Sequence, residues 1–489
     1  MPNYTVKVKW NKETFTNVVV NTDESVLEFK AQLFTLSCVP VERQKIMCAG
    51  KTLKDDEWNI PLKNGAVILL LGTSEEILVA PVEKTKFIED MSESELAQAI
   101  ELPPGLVNLG NTCYLNAVVQ CLRSVPELRE CLKEFKQEAG FAAPQSITLA
   151  MKGVFDQMER SATVTPIMLL QTLHAVFPQF AQTGEKGTYR QQDANECWVE
   201  LLKMLQQKLP TRNSETSTTS YPSFIEQFFG GTFDCSMKCT ESEDEEPSKL
   251  KENFLQLSCF INQEVKYMHS GLRLRLNEQI TKRSPTLERD AIYTKQSLIS
   301  RLPAYLTINF VRFQYKGKEG INAKVLKDIK FPLEFDAFDL CSPELQQKLI
   351  PMRTKFKEIE DAAVIEKDQI KMKGDKVEEK KTRALQYYFD EDLGSNNSGF
   401  YTLQAVLTHQ GRSSSSGHYV GWVRHKGDKW HKFDDDTVTP MASDEILRLS
   451  GGGDWHVAVS CVLISFLQAI KFHFSIFLVF ASLWPKNLQ

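Results

Sequence analysis

The chain opens on short alternating stretches. Residues 4–9 (YTVKVK) and 16–20 (TNVVV) read as two strands around the turn-like NKET. In the next stretch, TDESVLEFKAQLFTLSCVP, the period lengthens, and Val26, Phe29, Leu33 and Leu36 fall at roughly helical spacing. Thr22 is the expected cap, with Ser25 close behind, and Pro40 stops the run. QKIMCAGKTLKDD and AVILLLG add short strands about an AGK turn. Residues 1–73 are therefore expected to run strand, strand, helix, strand, strand. Residues 74–100 are polar and acidic with little period and read as a linker.

Further on, Leu115, Val118, Val119 and Leu122 recur at helical spacing and the run ends before Pro126. Cys113 is thereby placed in a helix's first turn. LQLSCFI and GLRLRLNEQI read as long strands, and LPAYLTINFVRFQY (302–315) as the clearest one. HYVGWV and DKWHKFDDDTV read as the two arms of a hairpin. Three segments look structureless or solvated: the Ser/Thr-rich 211–221, the acidic 240–248 and the Lys/Glu/Asp-rich 354–395. Residues 457–483 are almost entirely apolar, broken by Gln468, Lys471 and His473. A membrane helix there would place a Lys near its centre at a cost of about 3 kcal/mol, so anchoring is not expected.

Composition narrows the class. At 489 residues the chain needs two or more domains. A hydrophobic fraction of 42% and a charged fraction of 25% are those of a soluble globular protein, and a net charge of −5 lacks the basic face that nucleic acid requires. The eleven cysteines are scattered, unlike a disulfide framework, and MPNYTVKVKW lacks a signal peptide's apolar core. The cytoplasm or the nucleus is the expected home.

Chemistry concentrates around GLVNLGNTCYLNAVVQCL, residues 105–122. At a helix start, free amides and the positive dipole end favour a thiolate, which makes Cys113 a candidate nucleophile as well as a candidate buried thiol. Asn108, five residues earlier in a loop freed by Gly105 and Gly110, is placed to donate to an oxyanion. Cys121, deeper in the same helix, reads as core. Of eight histidines, His418 has the most suggestive setting, a strand start after a Gly/Ser loop. Asp434, Asp435 and Asp436 lie across the hairpin, where one of them can orient that ring.

The first segment, with its turn AGKTLKDD, resembles ubiquitin, but its last strand ends LLLGT without a free diglycine. It is expected to dock partners, not to be conjugated. GLVNLGNTCYLNAVVQCL and SSGHYVGWV…WHKFDDDTV resemble the cysteine and histidine boxes of the ubiquitin-specific proteases, with QQDANECW (191–198) as a third box. The proteasome-associated branch of that family is the nearest match, over residues 1 to about 457.

The resemblance implies an α+β chain. A β-grasp ubiquitin-like domain (1–73) and a linker (74–100) would precede a papain-like cysteine protease domain (101–459) with thumb, palm and fingers, and then an atypical apolar tail (460–489). It implies Cys113 as nucleophile, His418 as general base, Asp434 as the group orienting it, and Asn108 as oxyanion donor. Gln192 and Asp193, with Tyr419, Ser415 and Ser416, would contact ubiquitin's tail, while Trp198 and Leu201 are simply core. The implied partners are ubiquitin, polyubiquitinated proteins and the regulatory particle of the 26S proteasome. No nucleic acid or membrane is implied, and the free chain is expected to be a monomer.

Family members often hold structural zinc through two CxxC pairs. Cys235, Cys239 and Cys259 do not reproduce that set, so neither metal nor any other cofactor is expected. QYKGKEGINAKV and GRSSSSGHYV are expected to gate the cleft, and Arg412 makes Ser415 a candidate kinase site. The apolar ending departs from the family and puts the last palm strand in doubt. If that strand fails, the chain is a ubiquitin-binding adaptor instead of an enzyme.

Overall fold

The computed structural model describes residues 3–73 and 102–465, apart from 138–139, 141, 185–186, 213–218, 317–320, 374–385, 415 and 452–455. The expectations for the linker 74–100, for Ser415 and for the apolar residues beyond 465 fall outside these residues. The chain divides into two compact units between Met91 and Ser92.

The first unit is a β-grasp. Strands Asn3–Trp10 and Val67–Leu71 run parallel at the centre, flanked by Glu13–Asn21 on one side and by Lys45–Cys48 and Lys51–Thr52 on the other. Val6, Val8, Ile46, Ile68 and Leu70 point from one face against Val26, Phe29 and Leu33 of the helix Val26–Ser37. Two details differ from expectation. Ser25, not Thr22, caps the helix, its hydroxyl accepting from the Glu28 amide at 3.3 Å. Leu36 is exposed, because the fourth apolar position has rotated off the buried stripe. The AGK turn uses left-handed backbone at Ala49 (φ 50°) and Gly50 (φ 81°).

The second unit joins a helical part to two sheets. Its large sheet runs, by neighbours, Leu257–Cys259, Tyr305–Phe310, His456–Ser465, Phe400–Ser413, Ser416–Lys426, Lys429–Asp434 and Thr437–Ala442. A four-stranded sheet holds Asn277–Arg283, Asp290–Arg301, Gly231–Cys239 and Ser248–Phe254. Helices Cys113–Arg123, Pro126–Glu134, Ala143–Met158, Ile167–Val176 and Ala194–Gln206 share one core with the inner face of the large sheet. These are thumb, palm and fingers.

The doubted final strand forms. His456–Ser465 lies between Tyr305–Phe310 and Phe400–Ser413, pairing Ile308 with Cys461 and Thr402 with Ile464. Its apolar run, buried at Val462, Leu463 and Ile464, is what a strand covered on both faces requires. Another correction concerns GLRLRLNEQI. Met268–Leu276 is a helix, since Met268, Leu272 and Leu276 recur every four residues and are buried, while Leu274 is exposed. Only Asn277–Arg283 is strand. LQLSCFI contributes a short strand to the palm instead of a long one to the fingers. The tract 302–315 breaks at Arg312, whose buried guanidinium donates to the carbonyls of Ala458, Val325, Lys327 and Ser450.

All eleven cysteines are unpaired thiols. Cys235 contacts Ser297 in the fingers, whereas Cys259 donates to Met268 O in the palm. Among the described residues, no helix is long and apolar enough to cross a membrane.

Candidate active site

Cys113 begins the helix Cys113–Arg123. The preceding loop reverses at Gly110 (φ 101°) and Asn111 (φ 55°), left-handed positions that glycine and asparagine tolerate. Thr112 Oγ1 accepts from the Leu109 amide at 2.8 Å, tightening the loop. Gly105 plays a different part from the one its sequence position suggested. Its backbone is strand, and a Cβ there would meet Asp436 O at 2.3 Å, so its lack of side chain lets the cysteine loop lie against the aspartate turn. That contact is closed by Leu106 N donating to Asp435 O at 2.9 Å.

The helix lies directly on the strand that carries the histidine. Gly421 of Ser416–Lys426 faces Ala117 O, which an added Cβ would approach to 3.3 Å. This brings Cys113, 1% exposed, to the start of that strand, where Tyr419 N donates to its sulfur at 3.4 Å. His418 is within hydrogen-bonding reach of the same thiol. Across the hairpin, His418 Nε2 meets Asp434 Oδ1 at 2.6 Å, leaving Nδ1 for the sulfur. Lys432 Nζ holds the other Asp434 oxygen at 2.8 Å. The Asp434 bond first, and the Cys113 contact second, raise the His418 pKa to about 10 against the opposing effect of burial. The same bond holds the Asp434 carboxyl well below the usual carboxylate range.

Of the three aspartates, the structure aims Asp434 at the ring and gives Asp435 a separate task. Asp435, at φ 56°, accepts from Asn108 Nδ2 and from Asn116 Nδ2, each at 2.8 Å. Asn108 Oδ1 in turn accepts from the Gly110 amide at 2.9 Å and the Thr112 amide at 3.2 Å. Asn108 is therefore fixed at both ends, with one N–H taken by Asp435 and the other left toward the exposed side.

Gln191 is a site residue that the sequence reading passed over. It is buried, and its Nε2 donates to Cys113 Sγ at 3.3 Å. Nothing in QQDANECW distinguishes it from Gln192 beside it. Asp193 is the N-cap of the helix Ala194–Gln206, its Oδ1 accepting from Asn195 N at 2.7 Å and Glu196 N at 3.4 Å. Burial raises its pKa. The Tyr419 ring is buried beside His409, so it is the backbone of Tyr419, not its side chain, that faces the site. Ser416 is exposed, with its hydroxyl 3.0 Å from that of Ser413. Trp198, Leu201 and Cys121 are core.

The two expected gating segments meet. Ala323 pairs with Ser413, and the buried Lys324 Nζ reaches His409 O at 2.6 Å and His409 Nδ1 at 3.0 Å. His409 Nε2 bonds Ser416 O at 3.0 Å, two residues from His418. As for a metal, His418, Asp434 and Asp435 are the one group of possible ligands among the described residues. Their inward atoms already serve each other and the two asparagines.

A thiol at a helix start, an imidazole within reach of it and a carboxylate behind the imidazole define a thiol hydrolase. The chain belongs to the ubiquitin carboxyl-terminal hydrolase family, whose model matches residues 104–459, and the ubiquitin family model matches residues 5–71. Ubiquitin carboxyl-terminal hydrolase 7 of Arabidopsis thaliana is 40% identical over 476 residues, covering 93% of this chain and 97% of that protein. Ubiquitin carboxyl-terminal hydrolase 14 of Caenorhabditis elegans is 39% identical, covering 93% and 91%. Ubiquitin carboxyl-terminal hydrolase 6 of Schizosaccharomyces pombe is 37% identical, covering 92% and 96%. The fold is shared with a chain of the SAGA Ubp8/Sgf11/Sus1/Sgf73 DUB module bound to ubiquitin aldehyde, at TM-score 0.50 and 19% identity, over 74% of this chain and 69% of that one. The protein is thus a ubiquitin thiol hydrolase, a deubiquitinating protease with a ubiquitin-like domain at its start.

Proposed function

We propose that Cys113, His418, Asp434 and Asn108 carry the hydrolysis of the bond after ubiquitin's C-terminal glycine, on conjugates held at the proteasome. The line from the Cys113 sulfur through His418 to Asp434 carries this reading. The thiolate attacks the glycine carbonyl carbon, and its oxygen takes up negative charge that the free Asn108 N–H and neighbouring donors meet. His418 then protonates the departing lysine amine, which leaves a thioester. Water, giving its proton to His418, attacks the thioester and releases ubiquitin as a carboxylate.

Asp435 serves this chemistry by holding Asn108 in place. Asp435→Ala is expected to lower kcat about 10–100-fold with little change in KM, because a displaced donor loses charge stabilisation while ubiquitin's globular contacts persist. Steady-state hydrolysis of a fluorogenic ubiquitin amide checks this.

The proteasomal part rests on the first unit. Val67, Leu69 and Leu71 all stand exposed on the sheet face opposite the helix, beside Lys7 and Lys9 on the paired strand. A contiguous apolar strip among lysines fits a docking surface. Adding purified 26S proteasomes is expected to raise the turnover of the full chain, and Leu69→Asp/Leu71→Asp, changed only at exposed positions, is expected to cancel the increase. An unchanged rate in both proteins would remove the proteasome from the reading. The adaptor alternative drew on a missing palm strand. With His456–Ser465 formed at the sheet's centre, that ground is gone.

A further inference from the structure

The two elements that bring Cys113 and His418 together also meet at their opposite ends, and a basic cavity lies there. Helix Cys113–Arg123 ends at Arg123, and strand Ser416–Lys426 ends at Arg424–Lys426, roughly 15–20 Å from the thiol by helix and strand rise. A cavity of about 300 Å³ opens between them. It is lined by Arg123, Arg129, Arg424 and Lys426, with the rings of His425 and His431 tilted against each other at 4.9 Å on one wall, and no Asp or Glu contributes to the lining.

These cations are short of partners. Among the described residues, Arg123, Arg129, Arg424 and Lys426 form no ion pair. Arg424 is 7% exposed, and its Nε donates to Gly427 O at 2.7 Å, leaving the terminal nitrogens for the cavity. The nearby acids do not fill the gap. Glu159 pairs with Lys133 at 3.2 Å, and Glu334 and Asp428 act on Arg424 through space without forming an ion pair with it among the described residues. Burial and the approach of Arg129 lower the Arg123 pKa to about 10, and burial lowers that of Arg424. Guanidinium groups gathered around a hollow whose lining holds no acid fit the forked oxygens of phosphate.

We propose that this cavity binds a small anion carrying two or more phosphate groups, which ties the end of the cysteine helix to the end of the histidine strand. Four permanent cations exceed what one phosphate can neutralise, and the volume matches the lower end of small-ligand sites. An extended acidic peptide would need a long groove, whereas these groups converge on one half-open hollow. The site is separate from the cleft, so its occupancy is readable by binding alone, whatever the fate of the catalytic assignment.

Isothermal titration of the full chain tests the proposal, with inorganic tripolyphosphate and inositol hexakisphosphate as probes at low ionic strength. At least one probe is expected to bind with micromolar affinity that weakens with added salt. Arg129→Gln/Lys426→Gln, altered at two exposed positions, is expected to weaken that binding tenfold or more. Lys249→Gln/Lys251→Gln, on the exposed fingers strand, is expected to leave it unchanged. Preference for tripolyphosphate would mark an inorganic ligand, and preference for the inositol compound a phosphorylated polyol; both support the site. Absence of binding, equal weakening by the two double variants, or equally tight binding of a polyglutamate peptide would each overturn it.

Discussion

Cys113→Ala is expected to lower the hydrolysis of ubiquitin conjugates by a factor of at least about 10³–10⁴, since a thiol hydrolase without its nucleophile keeps only binding and oxyanion stabilisation. The sulfur stands at a helix start and receives hydrogen bonds from Tyr419 N and Gln191 Nε2, with His418 beside it. Among the described residues, none of the other ten thiols is within reach of a histidine that is itself bonded to a carboxylate. Removing one sulfur atom costs far less stability than unfolding would require, so the variant stays folded and should still bind ubiquitin. Two readouts check the expectation: release of a fluorophore from a ubiquitin amide, and labelling by ubiquitin bearing a thiol-reactive C-terminus. Labelling of the Cys113→Ala chain would assign the nucleophile to another cysteine.

The second large effect belongs to Asp434. In the folded chain His418 keeps its proton up to about pH 10. The raised pKa means that the imidazolium's contribution to stability is complete below about pH 6.5, the ordinary histidine value, and is lost as pH rises through about 10. Asp434 has the opposite sign. Its pKa is depressed, so its contribution is complete above about pH 3.8 and fades as the carboxylate is protonated in stronger acid. Asp434→Ala removes the largest cause of the His418 shift. The alkaline limb of kcat/KM should then move down by about 1–3 pH units. The loss of ring orientation should lower kcat about 10²–10⁴-fold. A pH–rate series on both proteins separates the two effects, because a merely structural role would lower activity without moving the limb.

Local patterns carried much of this architecture. The β-grasp core, the cysteine helix and the histidine hairpin each bury residues that recur at the period of their own element, so each was visible within a short window. Contacts across the chain were not. Asp435 meets Asn116 and Asn108 over separations of 319 and 327 residues, and nothing in DDDT marks the middle aspartate as their partner. Gly105 looked like a hinge, but its requirement comes from Asp436 on a distant turn. Leu272, Leu274 and Leu276 satisfy strand alternation, and only Met268 four residues before Leu272 reveals the helical stripe. The final strand was doubted because an uninterrupted apolar run departs from the expected ending. Strands covered on both faces have that composition as their ordinary requirement.

The central position of His456–Ser465 also bears on how the protein is made. The first unit closes through contacts within residues 3–73 and can fold as soon as those residues leave the ribosome. The palm cannot do so, because its middle strand is supplied by residues 456–465 and pairs with strands begun at Tyr305 and Phe400. At ordinary synthesis rates of about 5–20 residues per second, that leaves roughly 20–80 s between the two events. From the moment each is made until that strand arrives, Tyr305–Phe310 and Phe400–Ser413 expose unpaired edges, which makes the nascent protease a natural client for chaperones.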